Sequence, residues 1–284
     1  MLEMLSYPFI WRALIVGALV SLCSALLGVN LVLKRYSMIG DGLSHVAFSA
    51  MAVATVMNWA PLAVAIPVVV LAAILLLRVN SNSRINGDSA VALLSTGALA
   101  IGVFIISVKS GINTDINNYM FGSVLAISKS DVVLSVVLSL IVLVLYALFY
   151  NKIFAVTFDE PFAKATGMRA ELYNMLIAVL TAVTIVLGMR MIGALLISSL
   201  IIFPAMSSMR IFKSFRGVVI CSAIISVSCF LSGLIISYEY STPTGASVVI
   251  VNIIVFAAFC LVKYVIGKFT KSASKTKNSA SEKL

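Results

Sequence analysis

"GMRMIG" (188–193) joins two apolar runs, 172–188 and 191–208, and its reading decides how often the chain crosses a bilayer. Read as a connection between two helices, it separates two spans. Read as the mouth of a re-entrant piece, it leaves one span. A membrane helix needs about 20 predominantly apolar residues. On that criterion further runs lie near 10–33, 39–57, 61–77, 89–108, 131–150, 217–237 and 246–266. The total is nine spans, or eight on the re-entrant reading. The runs are continuous and lack the alternation of a lipid-facing strand. The fold class expected is therefore an all-α polytopic membrane protein.

Composition agrees. Of 284 residues, 62% are hydrophobic and 11% charged, against roughly 25% charged in a soluble domain. The opening "MLEMLSYPFIWRALIVGALVSL" (1–22) lacks a basic leader and a small-residue cleavage site, so it reads as a retained span rather than a signal peptide. The four cysteines, Cys23, Cys221, Cys229 and Cys260, lie inside apolar runs without C-x-x-C spacing and read as small buried hydrophobes.

The net charge of +10 invites a nucleic-acid reading, but the basic residues sit at the ends of apolar runs and in the tail. That placement sets orientation and offers no groove for phosphates. With nine spans and the N-terminus outside, fifteen lysines and arginines fall on the inner side. Four (Arg12, Lys109, Lys129, Arg190) fall on the outer side, and Lys263 remains within the last span. The C-terminus is accordingly expected in the cytoplasm. Residues 1–268 form a transmembrane domain, and 269–284 a basic, disordered cytoplasmic tail.

Two stretches carry chemistry. In "MIGDGLSHVAFSAM" (38–51), Asp41 and His45 are spaced i, i+4, so on a helix they share one face. A carboxylate and an imidazole suit Zn²⁺ or Mn²⁺. A bare acid at mid-membrane costs about 2.5–3.5 kcal/mol on the insertion scale, so membrane acids usually face a pathway or partner. The plainer reading is open too: Asp41 caps the helix and His45 is a satisfied polar residue. Gly40 and Gly42 would let "IGDG" unwind, placing the pair deeper. In "NKIFAVTFDEPFAKATGMRAE" (151–171), Asp159 suits an N-cap, Glu160 and Pro161 the first helical turn, and Gly167 the stop. The product is a short helix with an apolar side (Phe158, Phe162, Ala163) and a basic one (Lys164, Arg169). It is either a knob for a partner protein or a helix lying on headgroups.

Weaker signals remain. Asp88 and Ser89 read as an N-cap; Asn113, Asp115 and Asn117 as a solvated turn or a weak cation site. Arg190 reads as a gate or a snorkelling residue, and Pro204 as a break or kink in its span. No G-x-x-x-x-G-K-[ST], H-E-x-x-H or G-x-S-x-G is present, so the chain is not expected to be an enzyme or to bind ATP by a phosphate loop.

"LVLKRYSMIGDGLSHVAFSAMAVA" (31–54) resembles the G-D-x-L-S-H-A stretch of permease subunits of bacterial ABC-type zinc and manganese importers, and "FDEPFAKATGM" (158–168) their F-D-x-E-F-A-x-x-x-G motif. "DSAVALLSTGALAIGVFIIS", "DINNYMFGSVLAISKSDV", "MIGALLISSLIIFPAMSSM" and "TPTGASVVIVN" follow in the family's order, so the resemblance covers about 7–266. Glu160 stands one residue earlier than the family's usual acid.

The resemblance implies a type II importer permease in the bacterial cytoplasmic membrane, working as a homodimer by alternating access. A cytoplasmic ABC ATPase dimer would dock on Asp159, Glu160, Phe162, Ala163 and Gly167, and alone would bind ATP. A metal-binding lipoprotein or periplasmic protein would deliver the ion. Asp41 and His45 would be the pathway ligands, with Gly40, Gly42, Arg190 and Pro204 as gate or hinge positions. Nothing is expected to be bound permanently; the transported ion is zinc ahead of manganese. An imidazole ligates only when neutral, so transport should weaken on acidification. The rival reading is a secondary transporter or channel, in which the same pair relays protons and no ATPase is needed. An export permease is a third.

Overall fold

The computed structural model describes residues 8–82, 87–109 and 129–281. Among them every regular element is a helix. In chain order these are α1 (Pro8–Leu33), α2 (Ile39–Val56), α3 (Pro61–Asn82), α4 (Gly87–Lys109), α5 (Lys129–Leu148), α6 (Tyr150–Phe158), α7 (Glu160–Ala165), α8 (Ala170–Ile192), α9 (Ala194–Ile211), α10 (Phe215–Tyr240) and α11 (Thr244–Ser281). All but α6 and α7 are long and apolar enough to cross a membrane, which gives nine candidate spans among the described residues.

"GMRMIG" is a connection. α8 ends at Ile192, Gly193 takes a φ of 92°, and α9 starts at Ala194. That conformation is open to glycine because it has no Cβ, and it reverses the chain within one residue. The two runs are thus separate helices, each long and apolar enough to be a span.

The interior is built from α1, α2, α8 and α9, where Val16, Val20 and Leu27 pack in one core with Phe48, Met51, Ile185, Leu187, Leu196 and Leu200. Helices α4, α5 and α11 lie at the periphery and expose Leu93, Phe104, Leu148, Ile254 and Leu261. Such apolar faces suit lipid or another apolar helix. Small and polar residues hold the crossings, as expected where lipid is as apolar as the helix faces. A Cβ on Gly28 would stand 2.1 Å from the Ile201 carbonyl oxygen, so α1 and α9 touch backbone to backbone there. The Ser226 hydroxyl donates to the Ser21 carbonyl at 2.9 Å, joining α10 to α1. Asn30 donates to the Tyr146 hydroxyl at 3.1 Å and accepts from Thr157 Oγ1 at 3.1 Å, tying α1 to α5 and α6.

Pro204 does not break α9, which runs unbroken from Ala194 to Ile211. Neighbouring helices commonly compensate a proline in a membrane span. The helical backbone of α11 continues past its apolar part to Ser281.

Candidate functional site

The approach to Asp41 starts at the end of α1. Lys34 and Arg35 follow Leu33, Arg35 takes a φ of 61°, and the Tyr36 amide donates back to the Leu31 carbonyl at 2.8 Å. α2 then begins at Ile39. Gly40 and Gly42 are helical, so the unwinding their presence suggests is not found. Their use in this structure is close packing: a Cβ on Gly40 would lie 3.1 Å from Ile201 Cδ1, and one on Gly42 2.7 Å from Val91 Cγ1.

Asp41 and His45 share one face, with Oδ2 and Nε2 3.7 Å apart. That exceeds hydrogen-bond range. A tetrahedral ion with bonds of about 2.1 Å holds its ligands roughly 3.4 Å apart, close to this separation. Asp41 Oδ1 accepts from Ser198 Oγ of α9 at 3.3 Å, and the Ser44 hydroxyl donates to the Asp41 carbonyl at 2.7 Å. The Asp41 side chain is 44% exposed and that of His45 20%.

Asn174 and Lys34 meet at one end of the bundle. Asp41 lies five residues beyond Tyr36, whose amide still bonds the end of α1, and the neighbouring Gly42 packs on Val91 in the second turn of α4. The pair therefore sits in the first turns of α2, towards the Lys34 end of the bundle, where α9 passes it at Ser198. Among the described residues no third His, Cys, Asp or Glu joins the pair to form a metal-holding group.

The second site is the stub helix α7. The Asp159 carboxylate accepts from the Phe162 amide at 2.9 Å, Pro161 sits in the first turn, and Gly167 closes the helix at φ 80°. Ala163 is buried against Val156 and Ala170, which seats the stub between α6 and α8. Phe158 and Phe162 point away from the bundle, 77% and 66% exposed. Glu160 turns inward: it lies 3.2 Å from Lys34 Nζ and 3.0 Å from Lys164 Nζ, and accepts from Asn174 Nδ2 at 3.0 Å. Lys34 also donates to Asn174 Oδ1. Burial pushes the Glu160 carboxyl up, but the Asn174 and Lys164 hydrogen bonds and the Lys34 charge outweigh it and hold it at about 2. Burial moves Lys34 below its ordinary value, against the pull of Glu160.

The remaining candidates are scattered. Arg190 pairs with Asp131 at 3.2 Å, at the opposite end of the bundle from Lys34. Asp88 lies within the first turn of α4 rather than before it. Asn113, Asp115 and Asn117 fall outside the described residues. Sequence reading missed Ser198, Asn174 and the role of Lys34. Lys34 had registered only as an orientation charge, and Ser198 is one serine among many in the spans.

The ABC 3 transport family model matches residues 6–263. The manganese transport system membrane protein MntC of Halalkalibacterium halodurans is 28% identical over 282 residues, covering 96% of this chain and 97% of that one. The high-affinity zinc uptake system membrane protein ZnuB of Haemophilus influenzae is 30% identical over 250 residues, covering 88% and 96%. Among solved structures, PsaBC from Streptococcus pneumoniae in complex with Fab superposes with a TM-score of 0.81 at 27% identity, covering 90% of this chain and 92% of that one.

Proposed function

The chain belongs to the ABC 3 transport family, and on that premise we propose that it is the membrane subunit of an ATP-driven importer of a divalent transition metal. The observation that carries this reading is the Asp41–His45 pair, spaced 3.7 Å on one face of α2 and met there by Ser198 of α9. Relatives named for manganese and for zinc match this chain at similar identity, and carboxylate with imidazole serves either ion.

Two ligands do not complete a coordination shell, and one chain alone leaves the Asp41 carboxylate 44% exposed. A second copy of the chain, bringing its own pair across the pathway, supplies both cover and ligands. The Lys34 end is cytoplasmic by the charge count. There the end of α6 and the stub α7 offer Phe158 and Phe162, beside Lys164, to the ATPase dimer. An extracytoplasmic metal-binding protein hands the ion over at the Arg190 end. ATP turnover moves the stub, the two permeases rock, and the ion passes inward from the pair. This chain itself hydrolyses nothing.

The test is uptake of radiolabelled zinc and manganese into vesicles carrying the chain with its ATPase and delivery protein. ATP-dependent uptake without a proton gradient is expected. Uptake driven by a proton gradient alone would replace this reading with secondary transport.

A further inference from the structure

We infer that Ser198 is a positioning residue for the cargo: its hydroxyl sets the rotation of the Asp41 carboxylate, and only while α2 and α9 are apposed. The inference rests on the reading of Asp41 and His45 as the metal ligands. The two oxygens of Asp41 are used differently. Oδ1 accepts from Ser198 Oγ at 3.3 Å, while Oδ2 lies 3.7 Å from His45 Nε2. A carboxylate rotates in a broad, shallow well about its last torsion. Tethering one oxygen leaves the other aimed at the imidazole, which orients a first ligand from outside the coordination shell.

The tether crosses between helices. Asp41 and His45 belong to α2 and Ser198 to α9, and the two helices close on each other because Gly40 presents no side chain to Ile201, one turn along α9 from Ser198. The same hydroxyl has a second acceptor on its own helix, the Ala194 carbonyl at 3.4 Å. It therefore has two settled states. With α2 close, it serves Asp41; with α2 withdrawn, it falls back on Ala194 and keeps an acceptor. Metal affinity then follows helix packing: the pair holds the ion tightly when α2 and α9 are together and loosely when they part. Alternating access requires that difference between its loading and release states.

Ser199 supplies the control. It is the next residue, equally a serine, but its hydroxyl donates to the Leu196 carbonyl of its own helix at 2.9 Å and has no part in the pair.

The experiment measures metal-dependent uptake by the full complex, with zinc and with manganese, normalised to inserted protein. Ser198→Ala should raise the KM for metal about 10- to 100-fold, with the maximal rate kept. Ser198→Thr, which retains a hydroxyl, should restore the wild-type KM, and Ser199→Ala should leave it unchanged. An unchanged KM in Ser198→Ala would overturn the assignment, as would a Ser198→Thr KM as high as that of the alanine variant. Asp41→Ala run in parallel separates the two levels. If Asp41→Ala is inactive while Ser198→Ala is normal, only the positioning role fails. If Asp41→Ala itself transports normally, the metal reading fails first.

Discussion

Lys34 Nζ stands 3.2 Å from Glu160 Oε2, so the last turn of α1 is bonded to the first turn of the stub helix. Lys34 is only 10% exposed, and it precedes by a short turn the helix that carries Asp41. A contiguous line thus runs from the stub through Glu160 and Lys34 to the metal pair. We predict that Glu160→Gln weakens the join by about 1.5–3 kcal/mol, the worth of a charge-assisted hydrogen bond. It should uncouple ATP hydrolysis from uptake while leaving metal binding intact. The exchanged pair Lys34→Glu with Glu160→Lys should recover part of the coupled transport.

The same carboxylate sets an acid limit. Its folded value of about 2 lies below its ordinary 4.5, so its stabilisation is complete above the ordinary value and is lost as pH falls through the folded one. Thermal melting of the purified protein should therefore show a wild-type loss between those two values that is smaller in Glu160→Gln.

Gly28 predicts a packing failure. A Cβ there meets the Ile201 carbonyl oxygen at 2.1 Å, and backbone cannot swing aside as a side chain can. Gly28→Ala should cost about 3 kcal/mol, at the upper end for overpacking. Gly97 has nothing within 4 Å of an added Cβ, so Gly97→Ala should gain about 0.5–1 kcal/mol from helix propensity. Melting temperatures of the two variants check the contrast.

Phe162 predicts the reverse, lost function without lost stability. Its ring is 66% exposed and outside the core. Phe162→Asp should change stability by less than about 0.5 kcal/mol yet abolish co-purification of the ATPase. Retained ATPase binding would remove α7 as the docking element.

Much of this was legible in the sequence because membrane helices announce themselves by length and apolarity. The stub was legible because Asp159, Pro161 and Gly167 each have one strongly preferred helical position. Helix contacts were not legible. Nothing local marks Gly28 as a crossing point, or Ser198 rather than Ser199 as Asp41's partner, since both depend on the face each residue turns to a distant helix.

The central claim is that Asp41 and His45 carry the ion. It is tested most directly by radiolabelled zinc and manganese uptake in cells whose only importer is this one, with Asp41→Ala, His45→Ala and the double variant inserted at wild-type levels. The account predicts that each single variant loses nearly all uptake, and that the double is no worse than either. Wild-type uptake by the double variant would contradict it.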